Sequence, residues 1–207
     1  MCPRLAEFRH LWREREPDWH NAPVPAFLPV GGVGAVRLAI VGLAPGLRGA
    51  NRTGRPFTGD YAGDLLYRTL SRHGFANDRF DARIDDGLEL FGTAIVNAVR
   101  CVPPENKPTG PEITTCRRFL EPALKEFQNL RAVVTLGRIA HDSTVRAMGQ
   151  RPATVPFSHG GKHEIAGIRI FSSYHCSRYN TNTGRLTEAM FTAVFERVAA
   201  FLKTSVS

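Results

Sequence analysis

The sequence predicts an α/β fold with a mainly parallel central sheet. Two observations carry this. Four short apolar runs, VRLAIVGL (36–43), GTAIVNAV (92–99), RAVVTLG (131–137) and IRIFSSY (168–174), read as buried strands. Stretches of helical spacing stand between them, and strands alternating with helices give a parallel sheet covered by helices.

In chain order, residues 1–20 read as a charged helical opening that begins at Cys2-Pro3, and 21–34 (NAPVPAFLPVGGVG) as a connector. The first strand runs into 44–60, which has neither strand nor helix periodicity and holds four Gly, two Pro and three Arg. A loop of that length without structure of its own is usually functional or disordered. A helix follows at 61–73, with Leu65, Leu66 and Leu70 on one face. After the second strand come Cys101 and the loop VPPENKPTG. Thr109 with Glu112 makes a capping box for the next helix, whose Cys116, Phe119, Leu120, Leu124 and Phe127 keep helical spacing. A short helix after the third strand ends at Gly149, 150–166 reads as loop, and a polar loop HCSRYNTNTG follows the fourth strand. The last helix spans 185–202, with Leu186, Met190, Val194, Phe195 and Val198 on its apolar face. The expectation is one domain over 1–207, with 1–34 packed on the loop 101–116.

The chain has 27 Lys+Arg against 19 Asp+Glu, a net charge of +8, and 23 of the 27 are Arg. Such a protein can bind nucleic acid by counterion release, with Arg as the bidentate phosphate ligand. A GC-rich genome accounts for Arg over Lys equally well, but not for the net charge. No apolar run reaches the roughly 18–20 residues of a membrane span, and MCPRLAEFRHLWRERE has no signal-peptide core. Four cysteines are no disulfide scaffold; thiols or a metal site in a cytoplasmic protein fit better.

Ligands of open α/β sheets bind beyond the carboxyl ends of the strands. Three conspicuous segments fall there: 42–60, 97–109 and 175–185. Gly42-Leu43-Ala44-Pro45-Gly46 is a strand exit that can aim backbone N–H groups at an anion or carbonyl oxygen. It has neither the P-loop ending nor the dinucleotide fingerprint, though phosphate binding by a small nucleotide-binding protein remains one alternative. Asn51, Arg52, Arg55, Phe57 and Asp60 crowd the loop behind it. His175, Cys176, Ser177, Arg178, Asn180 and Arg185 form a dense polar run directly after a strand. Cys2, Cys101 and Cys116 are spread without any C-x2-C pair, which suits iron–sulfur better than zinc; Cys116 also fits plain core packing.

CPRL (2–5), GLAPGLRGANRTGRPFTGD (42–60), NAVRCVPPENKPT (97–109) with Cys116, and HCSRYNTNTGRLTE (175–188) together resemble the family 5, or type B, uracil-DNA glycosylases of the superfamily's iron–sulfur branch. Family 4 has GEAPG in its first motif, where this chain has Leu43. The resemblance implies a three-layer α/β/α fold with a short sheet. It also implies a monofunctional enzyme that flips uracil, and other deaminated or damaged bases, out of DNA and hydrolyses the N-glycosidic bond in base excision repair. A catalytically weak lesion- or abasic-site-binding relative is the alternative.

By the same resemblance Phe57 stacks on the base, and the base pocket is built from Gly42, Leu43, Ala44, Phe57, Asn97 and His175. Asn97 reads the base edge, His175 contacts O2, and Asp60 serves the water or the developing sugar cation. DNA contacts are implied for Asn51, Arg52, Arg55, Ser177, Arg178, Asn180 and Arg185. A structural 4Fe-4S cluster is implied on Cys2, Cys101 and Cys116. Two departures stand out: Cys176 replaces the family's Pro, and the fourth cluster cysteine would fall before Met1. An upstream start, a three-cysteine or differently ligated cluster, and no cluster are all compatible with that. The implied setting is a monomer in a prokaryotic cytoplasm, acting on DNA and not on membranes.

Overall fold

Continuous apolar runs become strands here because both faces of each are covered. A computed structural model describes residues 2–204. The elements are α1 (Pro3–Arg15), β1 (Leu38–Gly42), α2 (Ala50–Thr53), α3 (Tyr61–Arg72), β2 (Thr93–Asn97), α4 (Gly110–Glu126), β3 (Ala132–Leu136), α5 (Arg138–Ala147), β4 (Lys162–Ile165), β5 (Ile168–Ser173), α6 (Arg178–Asn182) and α7 (Glu188–Thr204). The sheet order is β2-β1-β3-β5-β4, parallel except for β4, which pairs antiparallel with β5. Alternate residues of β1 serve opposite layers. Leu38 and Ile40 pack with α3 and α7, and Ala39 and Val41 with α4 and α5. The result is the expected three-layer α/β/α sandwich.

All four expected strands are present. The segment 150–166, expected to be loop, contributes β4, a short edge strand with one buried residue, Ile165. Its Lys-His-Glu-Ile sequence has too little apolar alternation to stand out. Single helical turns, α2 and α6, interrupt the expected loops at 44–60 and 175–184. The segment before β4 is itself pinned. His141 Nε2 lies 2.7 Å from the Val155 carbonyl and its Nδ1 lies 2.9 Å from Ser172 Oγ. The network therefore assigns the proton to Nε2, with Nδ1 accepting from the hydroxyl.

The 44–60 loop is held from within by Arg55, which is 4% exposed. Its Nε donates to Thr58 Oγ1 at 2.8 Å, and its Nη atoms donate to Asp86 at 2.8 and 2.6 Å and to the Arg83 carbonyl at 2.7 Å. The guanidinium also lies over Phe27 and Tyr67, 5.3 and 5.9 Å from the ring centroids. Burial alone would raise the Asp86 carboxyl, but the Arg55 bonds and the amides of Asp81 and Leu88 hold it well below the usual carboxylate range.

Removing one partner of a buried pair leaves an uncompensated charge. Asp86→Asn is therefore expected to lower folding stability by about 3–5 kcal/mol, measured by urea denaturation. A loss below about 1 kcal/mol, the range of an exposed pair, would show that Arg55 does not depend on Asp86.

Candidate active site

The carboxyl ends of β1, β3 and β5 open onto one cavity of about 1130 Å³. Gly42 ends β1 opposite Asn97, which ends β2. A Cβ on Gly42 would lie 2.5 Å from Asn97 Oδ1 and 2.8 Å from two ring carbons of Phe57, so only glycine lets both side chains meet the strand. Phe57 has φ +53°, in the left-handed region. Its carbonyl packs against Gly63 so closely that a Cβ there would collide with it, and Tyr67 Oη donates to the neighbouring Pro56 carbonyl at 2.6 Å. The Phe57 ring faces His175 with centroids 5.9 Å apart and planes 24° from parallel. Gly42, Phe57, Asn97 and His175 thus converge. Leu43, Ala44, Asp60 and His175 line the cavity itself, while Phe57 and Asn97 stand behind that wall. Among the described residues the amides of Leu43, Ala44 and Gly46 find no carbonyl acceptor.

Asp60 occupies the N-cap position of α3 with extended backbone, but its side chain makes no cap hydrogen bond. The carboxylate instead turns towards Gly46 and Gly49, where any Cβ would strike it, and its Oδ1 is buried without a partner. Burial raises its pKa, and Asp64 adds to the rise; the amides of Gly63 and Ala62 oppose it. Burial acts on His175 in the opposite sense and lowers its pKa from 6.5 to about 4. At neutral pH the imidazole is therefore neutral and can donate one N–H. The backbone carbonyl of His175 accepts from Asn180 Nδ2 at 2.8 Å, which ties the loop to α6. Cys176 is fully buried, and its thiol donates to the Ala62 carbonyl at 3.5 Å. It anchors the loop by packing where a proline would stiffen it through φ.

Ser177, Arg178, Asn180 and Arg185 line the rim of the cavity. Arg178 lies over Tyr61 at 5.3 Å and Arg185 over Tyr174 at 4.6 Å. Two residues expected on DNA are elsewhere, and the expectation is corrected for both. Arg55 is buried, with its guanidinium engaged as described above. Asn51 is fully buried and donates to Asn21 Oδ1 at 2.8 Å, joining this loop to the end of α1. Arg52 is exposed but bends back to the Arg48 carbonyl at 3.0 Å, off the cavity wall. Sequence reasoning missed Tyr61, Arg138, Phe157, His159 and Tyr174, all on the cavity wall. Arg138 directly follows the third strand, so the strand-end rule could have found it. Phe157 and His159 lie in 150–166 and gave no such signal.

Cys2, Cys101 and Cys116 pack together with Leu5 and Val99, apart from Cys176, which belongs to a different core cluster. Cys116 Sγ accepts the Arg100 amide at 3.2 Å. Burial raises the Cys101 thiol, while the charges of Arg9 and Arg100 pull it down. Arg4 holds α1 onto this region through two bonds to Glu112, at 2.8 and 2.7 Å, and Glu112 Oε2 accepts the Thr109 amide at 2.7 Å. The donor chemistry suits an iron–sulfur group, but the set is not closed. Among the described residues no group of three or more His, Cys, Asp or Glu side chains is arranged to hold a metal ion.

A largely desolvated carboxylate, a neutral histidine and unbonded strand-exit amides thus share one cavity, with arginines on its wall. The family model of the uracil DNA glycosylase superfamily matches residues 29–199, and the chain belongs to that superfamily. Within it, the chain is 43% identical over 201 residues to the type-5 uracil-DNA glycosylase of Thermus thermophilus, covering 94% of this chain and 89% of that one. It is 39% identical over 203 residues to the type-5 enzyme of Pyrobaculum aerophilum, covering 96% and 87%. A type-4 uracil-DNA glycosylase of Thermotoga maritima is 27% identical over 168 residues.

The unfolded chain protonates His175 near pH 6.5 and the folded chain only near pH 4. The folded state is thus expected to lose stability as pH falls through that window, because only the unfolded state gains the proton there. An NMR titration checks this directly: the His175 ring resonance should stay flat from pH 8 to about 5. A midpoint near 6.5 would refute the burial effect.

Proposed function

We propose that the protein is a monofunctional DNA glycosylase that removes uracil from DNA by hydrolysis, opening base excision repair. The observation that carries this is the pairing of Asp60 and neutral His175 on one cavity beside the Gly42–Phe57–Asn97 contact. A base within a duplex is out of reach, so the nucleotide must be extruded into the cavity. Phe57 offers an aromatic face, and the Asn97 amide offers a donor and an acceptor to the base edge.

As the glycosidic bond breaks, its electron pair goes to the base and negative charge grows on O2. A donor already fixed there is worth more in the transition state than in the ground state. His175 supplies one, and the free amides of Leu43 and Ala44 supply others. The sugar becomes cationic, and ionised Asp60 stabilises it and orients the attacking water. Water adds to C1′, its proton leaves through Asp60, and the products are free uracil and an abasic site. A lyase step would need an amine nucleophile; none of the four lysines lines this cavity among the described residues. Because the wall has a single carboxylate, base removal depends heavily on Asp60.

Ser177, Arg178, Asn180 and Arg185 take the DNA backbone at the rim in this reading. Cys2, Cys101 and Cys116 hold a structural iron–sulfur cluster that fastens α1 to the 101–116 segment and has no part in the reaction. Their shared packing and the Arg100 amide on Cys116 Sγ support it. The protein acts in the cytoplasm as a monomer; no helix among the described residues is long and apolar enough to cross a membrane.

Two measurements follow. Alkali-dependent nicking of a labelled duplex should occur at uracil and not at thymine, and Asp60→Asn should slow it by about 10²–10⁴-fold, the usual worth of a positioned acid or base. Equal rates in the two proteins would remove Asp60 from the mechanism. Iron and acid-labile sulfide analysis should find both in the purified protein, with Cys101→Ser lowering the content. Iron-free, colourless protein that still releases uracil would dismiss the cluster.

A further inference from the structure

The cavity is larger than one flipped pyrimidine requires. Its volume of about 1130 Å³ exceeds the roughly 300–1,000 Å³ that encloses a drug-sized ligand. The excess lies past His175, on the side of β3 and the 150–160 segment, where only Arg185, at the rim, already has a role. Five side chains define that lobe's character. Arg138 lies over Phe157, 5.6 Å from the centroid, and Arg185 over Tyr174 at 4.6 Å. Tyr174 also stacks on His159, with centroids 5.1 Å apart and planes 19° from parallel. Neither guanidinium pairs with a carboxylate among the described residues, and Asp60 is the one acidic side chain on the whole wall. The aromatic backing is fixed: Phe157 meets His141 edge-on at 5.6 Å, and His141 is locked to Val155 and Ser172.

Resting on the glycosylase reading, we propose that this lobe is a second nucleotide subsite. It takes the nucleotide adjacent to the flipped one in the same strand, unstacked from its neighbours. A guanidinium lying on an aromatic ring presents a flat cationic plate. Its remaining face can stack on a base and its N–H edge can bond the following phosphate. Two such plates beside one deep pocket recognise a base with its phosphodiester, and they do so whatever the base. The neighbour leaves the duplex stack to reach them, so the subsite favours single-stranded or poorly stacked DNA over a regular duplex.

The test uses full-length protein and labelled single strands carrying a 2′-fluoro deoxyuridine analogue that resists hydrolysis. The base on its 5′ side, or on its 3′ side, is replaced by an abasic spacer. For the wild type, loss of the base on one side should weaken binding by about tenfold, the order expected for one base–aromatic or base–guanidinium stack. In Phe157→Leu and in Arg138→Gln, the latter at an exposed position, that difference between strands should shrink to near unity. No effect from either spacer in the wild type would overturn the proposal. An effect that persists undiminished in both variants would also overturn it. Uracil release from an unmodified strand, measured alongside, separates the two readings: release without the neighbour effect rejects the subsite alone, and no release rejects both.

Discussion

The site depends on keeping an irregular loop rigid, and the contact that does so is the buried Arg55 guanidinium. Between β1 and α3 the chain makes few repeating backbone bonds, so its shape must come from side chains. Arg55 binds Thr58 inside the loop, Asp86 and the Arg83 carbonyl outside it, and two aromatic rings besides. Those bonds place Pro56 and Phe57 against α3, where Gly63 admits the Phe57 carbonyl and Tyr67 takes that of Pro56. The left-handed Phe57 backbone is tolerable only because its surroundings over-determine it. Asp60, three residues further on, inherits that placement.

Rigidity has an electrostatic consequence. A carboxylate and an imidazole that are each largely desolvated are both driven towards neutrality. For His175 that is useful, since a neutral ring donates a bond without repelling a developing sugar cation. For Asp60 it is a cost in the proposed mechanism, which uses the anion. The amides of Gly63 and Ala62, in the first turn of α3, oppose it and favour the ionised form.

Much of this was legible in the residues. Strands buried on both faces appear as unbroken apolar runs, so β1, β2, β3 and β5 were evident. The edge strand β4 was not, since an exposed strand pairing on one side needs little apolar alternation. Asp60, Phe57, Asn97 and His175 stand out because they match the motifs of the family that the chain resembles. Asn51 and Arg55 were misassigned for one physical reason: a polar side chain in a loop looks solvent-facing until its buried partners are known. Asn21, and the Asp86 and Phe27 that receive Arg55, lie 28 to 31 residues away in sequence. No local pattern announces them.

The residues that escaped notice share a different cause. Arg138, Phe157 and Tyr174 do not form a motif; each is ordinary in its own segment. Only the sheet order makes them neighbours. Placing β5 beside β3 sets Tyr174, at the end of β5, next to Arg138, at the start of α5. The His141 lock then carries Phe157 up from the far side. A parallel sheet collects strand ends regardless of their separation along the chain, which is why such folds build sites there. A wide cavity follows naturally: the segment after β1 supplies one side of it, while β3 and β5 supply a cationic, aromatic extension. The boundary between the two is His175, so in the proposed reading any nucleotide held in the extension bears directly on that ring.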